Sequence, residues 1–252
     1  MNRRRARCAL PLLVPALALL LACGEGKGEG SSPSAAPEAI HPSTAAAGPA
    51  QIGRSPARPP AGDGRPLVVF LGDSLTAAFG LAEEQGYPAR AAADLERRGL
   101  PIRALNAGIS GDTTAGGLER LDWLLAQKPD LVVVELGAND GLRGQPLAAV
   151  EANLRAIVER ARAAGAGVIL VGMRIPPNYG PDYAHGFQEI YPRLARELDV
   201  PLVPFLLEGV AARPELNLPD GLHPNARGYE IVARTIADAL APVLERLRKR
   251  AA

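Results

Sequence analysis

Short apolar runs alternate with longer amphipathic stretches through most of the chain. The clearest run is residues 67–71, Leu-Val-Val-Phe-Leu, which has no polar position at all. Such a run reads as a strand buried on both faces, as a parallel sheet requires. Further strands are expected at 102–105, 131–136, 168–171 and 202–205. Between them, helical spacing predicts helices over 87–98 and 114–127, then over 147–164 and a fourth ending near Leu198. Gly99 and Gly165 follow two of these as stop signals. A loop rich in proline and tyrosine, 174–183, precedes the fourth helix. The last helix carries Ile231, Val232, Ile236, Ala239, Leu240, Val243, Leu244 and Leu247 as one apolar stripe. Strand-helix alternation of this kind predicts an α/β fold: a parallel sheet, helices on both faces, right-handed crossovers. Glu135 breaks the third apolar run and needs a partner there.

The N-terminal part follows a different pattern. Arg3, Arg4, Arg5 and Arg7 precede an apolar run over 9–22, as in a secretory signal. The run is too short to read as a membrane span. It ends Leu20-Leu21-Ala22-Cys23-Gly24, which resembles a bacterial lipobox. That resemblance implies a signal peptide over 1–22, with Cys23 lipidated as the new N-terminus. The expected address is the bacterial cell envelope, on the outer membrane. Cys8 would leave with the signal, so no intramolecular disulfide can form. Residues 23–65 are Gly, Pro, Ala and Ser with scattered charges and no periodicity, and read as a linker. His41, within it, has no chemical context. The folded domain is expected over 66–250.

Composition adds limits. With 252 residues, 47% hydrophobic and 22% charged, the chain has globular proportions and room for one sizeable core. The formal charge is +1, and without the four N-terminal arginines 24 basic residues face 27 acidic ones. There is no basic stripe and few aromatics to stack on bases, so nucleic acid is not an expected partner. No protein partner is identifiable; the membrane is expected through Cys23 alone.

Polar residues gather where strands end. The first strand runs into Gly72-Asp73-Ser74-Leu75, which puts a serine at the carboxyl edge of the sheet, where open α/β folds bind ligands. The second leads to Gly108 and the third to Asn139. Asp220 and His223 precede the last helix. A serine is a poor nucleophile until a base takes its proton. His223 can be that base, and Asp220 can fix its tautomer and stabilise the imidazolium. Pro224 suits a first helical position and would set His223 at the helix start. The Ser74 and Gly108 N–H groups and the Asn139 amide can form an oxyanion hole. One such donor is worth about 2.7–4 kcal/mol in the transition state. Asp73 reads as an organiser of the turn, and Asp112 and Asp140 as loop caps. Ser110 lacks so clear a preceding strand, and His185 reads as a surface or rim residue.

Together these segments resemble the SGNH, or GDSL, hydrolase family. Its four blocks stand here as Gly72-Asp73-Ser74-Leu75, the Gly108 segment, Gly137-Ala138-Asn139-Asp140 and Asp220-Gly221-Leu222-His223. The stretch from Glu135 to Gly144 and the loop Met173-Arg174-Ile175-Pro176-Pro177-Asn178-Tyr179-Gly180 are similar to the bacterial thioesterase I, lysophospholipase and arylesterase subgroup. The resemblance implies a flavodoxin-like three-layer α/β/α sandwich with five parallel strands in the order 2-1-3-4-5. It also implies no metal or organic cofactor. Loops 75–81, 141–144 and 175–179 mix apolar side chains with glycine and proline, so Leu75, Leu142, Ile175, Pro177 and Tyr179 are expected to meet an acyl chain. The substrate expected is a small-molecule or lipid acyl ester. Rival readings are an acetylesterase acting on acetylated polysaccharide and a catalytically silent binding module. Three histidines and one surviving cysteine give no zinc-like spacing. The glycine fingerprint of dinucleotide binding and the Gly-x-Ser-x-Gly elbow are both absent.

Overall fold

The computed structural model describes residues 63–251. The expected signal, Cys8, Cys23, His41 and nearly all of the expected linker lie outside them. Five strands form one parallel sheet: β1 (Leu67–Gly72), β2 (Arg103–Gly108), β3 (Leu131–Glu135), β4 (Gly167–Val171) and β5 (Leu202–Val203). Their order is β2-β1-β3-β4-β5, as the family resemblance implied. The register puts Gly72 beside Gly108 on one side and Glu135 on the other, so three strand ends converge on one point of the carboxyl edge.

Every position of β1 and β3 is buried, which requires cover on both faces. α1 (Tyr87–Arg97) packs with α7 (Ala226–Ala251), while α5 (Leu147–Ala163) packs with α2 (Thr114–Glu119), α3 (Leu121–Leu125) and α6 (Pro181–Glu197). The stripe expected on the last helix is observed: Val232, Ile236, Leu240 and Leu244 are in the core.

Three local differences from the expectation have physical causes. The helix expected over 114–127 breaks at Arg120 into α2 and α3. Arg120 turns its guanidinium inward, onto Asp112 Oδ2 at 2.8 Å and the Gly72 carbonyl at 3.0 Å. β3 ends at Glu135 rather than Leu136. Gly137 then turns the chain at φ 118° into a one-turn helix, α4 (Ala138–Leu142), so Asn139 is helical rather than in a loop. Finally, Pro224 does not begin the last helix. Asn225 caps it, its Oδ1 accepting the Arg227 and Gly228 N–H groups. Pro224 instead bridges to Asn217.

Candidate active site

β1 delivers Ser74 into a tight turn. Ala77 N–H donates to the Asp73 carbonyl at 2.9 Å and Phe79 N–H to the Ser74 carbonyl at 3.0 Å. The turn lies directly on β2: a Cβ on Gly108 would come within 2.3 Å of the Ala77 nitrogen. Glycine there is a steric requirement, because backbone meets backbone.

Ser74 Oγ is 2.9 Å from His223 Nε2, and His223 Nδ1 is 2.7 Å from Asp220 Oδ2. An ionised carboxylate only accepts, so Nδ1 carries the proton and Nε2 is left to accept from Ser74. The loop holding both residues is stiffened from within. Asp220 Oδ1 accepts the Leu222 and His223 N–H groups at 2.9 and 3.0 Å, and the His223 carbonyl accepts Leu218 N–H at 2.7 Å. Partial burial would raise the Asp220 pKa. The His223 and Leu222 backbone donors and the imidazole outweigh it, and hold the group below its ordinary value. Asp220 therefore stays charged where the imidazole needs it.

The three expected oxyanion donors are differently placed. Among the described residues no acceptor takes the Ser74 N–H. Asn139 Nδ2 donates one hydrogen to Asp73 Oδ2 at 3.1 Å, which leaves its second free to face a ligand. Gly108 N–H donates to Asn106 Oδ1 at 3.0 Å, so a substrate oxygen would have to displace that amide.

Asp73 organises the turn, its Oδ1 accepting Leu75 N–H at 3.0 Å. The imidazole bonds Ser74 and Asp220 rather than Asp73; burial pushes the Asp73 pKa up to about 6, against the pull of the Leu75 N–H, His223 and Asn139. Asp140 accepts both the N–H and the hydroxyl of Thr114, and Asp112 accepts Thr113 N–H, both as loop ties. Ser110 and His185 are exposed.

Of the residues expected to meet an acyl chain, Leu75 departs from the others. It is 5% exposed, within the core, and its carbonyl accepts the buried Tyr229 hydroxyl. Leu142 and Tyr179 are exposed, Pro177 is exposed, and Ile175 is half-buried. Two of the expected loops form one wall. A Cβ on Gly141 would meet Ile175 at 2.8 Å, and one on Gly144 would meet the Tyr179 ring at 2.7 Å.

Sequence reasoning missed the partners of Glu135. Thr76 Oγ1, within the turn that carries Ser74, donates to Glu135 Oε2 at 2.7 Å and lies 2.7 Å from Tyr87 Oη, and all three residues are buried. The unexplained acid in an apolar run was the available signal. Nothing local marked Thr76, Asn106 or Arg120.

Residues 70–231 match the model of the GDSL-like lipase/acylhydrolase family. Esterase TesA of Pseudomonas aeruginosa is 44% identical over 178 residues, 70% of this chain and 89% of that protein. Thioesterase 1/protease 1/lysophospholipase L1 of Escherichia coli is 41% identical over 70% of this chain and 84% of its own. Among solved structures, the psychrotrophic esterase EstA from Pseudoalteromonas sp., inhibited by monoethylphosphonate, superposes with a TM-score of 0.68 at 37% identity. That match covers 71% of this chain and 98% of EstA.

Proposed function

This chain belongs to the GDSL-like lipase/acylhydrolase family, and from that premise we propose that it is a serine esterase working through Ser74, His223 and Asp220. The observation that carries the reading is the unbroken line from Ser74 Oγ through both imidazole nitrogens to Asp220. The relatives named esterase and lysophospholipase support a carboxylic ester hydrolase.

In the first half-reaction Ser74 Oγ attacks the ester carbonyl carbon as its proton passes to His223 Nε2. The carbonyl oxygen becomes the oxyanion, held by Ser74 N–H, the second hydrogen of Asn139 and Gly108 N–H once Asn106 yields it. Collapse breaks the ester C–O bond, and His223 returns the proton to the departing alcohol. Water then attacks the acyl-serine with His223 again as base, releasing the acid and restoring Ser74. Asp220 orients and stabilises the imidazolium throughout.

The wall built by Ile175 and Tyr179 over Gly141 and Gly144, with Leu142 beside it, supports an acyl chain as the bound group. Hydrophobic pockets discriminate weakly, about 1–3 kcal/mol per methylene, so several chain lengths should be accepted, with a preference for short-to-medium acyl chains and some thioesterase or lysophospholipase activity. Ser74→Ala and His223→Ala should each lower kcat by at least about 10³-fold on acetyl, butyryl and octanoyl esters while keeping the fold. Near-normal turnover by folded Ser74→Ala would refute the assignment. We also propose export and a lipid tether at Cys23, supported by the arginine-led apolar run and the lipobox-like sequence around it.

A further inference from the structure

We propose that Phe79 forms the leaving-group subsite, selecting esters whose alcohol portion is aromatic. The proposal rests on His223 as the group that protonates the departing alcohol. That role fixes where the leaving group must be: against the imidazole, on the face of Ser74 from which the proton returns. Phe79 already occupies the margin of that space. Its ring centroid is 4.5 Å from that of His223, tilted by 34°. The residue is nonetheless 46% exposed, so it is open to a ligand.

An exposed phenylalanine usually needs no explanation, but this one is held with unusual care. Its N–H is bonded to the Ser74 carbonyl, which ties its position to the nucleophile itself. The residues on either side, Ala78 at φ 58° and Gly80 at φ 78°, are both left-handed. Ala78 is buried and makes that conformation at a steric cost that core packing of Phe79 does not repay, since Phe79 is outside the core. Gly80 lies against the histidine loop: a Cβ there would come within 2.7 Å of Leu218 Cδ1. The turn therefore presents an aromatic face at a fixed place beside the base. The apolar wall of Ile175 and Tyr179 belongs to other loops, so the acyl and alcohol portions have separate surfaces. Aromatic rings pair favourably with one another in offset and edge-on arrangements, which gives an aryl alcohol an advantage over an alkyl one here.

The experiment compares kcat/KM for phenyl acetate and ethyl acetate in the full-length protein and in Phe79→Ala, Phe79→Leu and Phe79→Tyr. Phe79→Ala should lower the phenyl-to-ethyl ratio about tenfold. Phe79→Leu should lower it less and Phe79→Tyr should keep it. The butyrate-to-octanoate ratio on one alcohol should not change. A ratio is unaffected by the fraction of enzyme that misfolds, so reduced yield does not obscure it. Equal losses on both acetates would mean that Phe79 serves only to position His223, and would overturn the proposal. So would a change confined to acyl-chain preference. Activity retained by Ser74→Ala would fail the esterase mechanism itself, an outcome separate from an active Phe79→Ala enzyme that is indifferent to its leaving group.

Discussion

Glu135 is the most unusual single residue in the molecule. It is wholly buried at the end of β3, and its Oε1 has no hydrogen-bond partner among the described residues. Burial raises its pKa well above the ordinary carboxylate range, and the nearby Asp73 charge adds to the effect. The proton-bound form is thus the one the fold accommodates, while Thr76 and the Asp73 N–H satisfy Oε2. A carboxyl raised on folding keeps a proton that the unfolded chain releases. Its contribution to stability is complete below the unfolded value, 4.5 for Glu135, and is lost as pH rises toward the folded one. Asp73 acts in the same direction between 3.8 and about 6. Glu135→Gln removes one titrating group, so the stability of this variant relative to wild type should rise with pH. The difference in Tm between the variant and wild type should widen in the variant's favour as pH rises above 4.5. Thermal melts of both proteins from pH 4 to 8 check this. Parallel curves would show that Glu135 titrates normally despite its burial.

At the scale of elements, legibility follows from whether the cause is local. β1, β3 and β4 are central strands buried on both faces, so their apolar runs announced them. The edge strands were harder. β2 alternates buried and half-exposed positions and runs on through Asn106 and Ala107 to Gly108, because β1 supplies hydrogen-bond partners that far. β5 keeps only two residues, since it pairs with β4 over that length alone. The break at Arg120 depends on Asp112 and on the end of β1, 48 residues away, and no local pattern encodes it. Asn225 as cap was readable in principle, since asparagine is a strong capping residue, but the neighbouring proline drew the boundary two positions early. That Ser74, Asp220 and His223 would meet was legible because each stands at an element boundary in a polar cluster. Leu75 was misplaced because sequence gives a loop's composition but not which side chains fold inward.

At the scale of the whole molecule, the described domain follows a proposed tether. The carboxyl edge of the sheet brings together the ends of β1, β2 and β3 with the loop before α7, and Ile175 packs on α4, the helix that carries Asn139. If Cys23 carries lipid, full-length protein should fractionate with membranes and Cys23→Ser should not, with the lipid mass visible on the N-terminal peptide of the wild type. Equal fractionation of both and no lipid on either would remove the tether from the account. The esterase reading does not depend on it. Its central claim is that Ser74 is activated by His223, and covalent labelling addresses it most directly. The full-length protein is treated with a serine-directed ethylphosphonate and digested, and the adduct is located by mass spectrometry. The account predicts one phosphonyl group per chain, on the peptide containing Ser74, with labelling abolished in Ser74→Ala and slowed by orders of magnitude in His223→Ala. An unlabelled Ser74 in folded protein, or labelling as fast without His223 as with it, would contradict it.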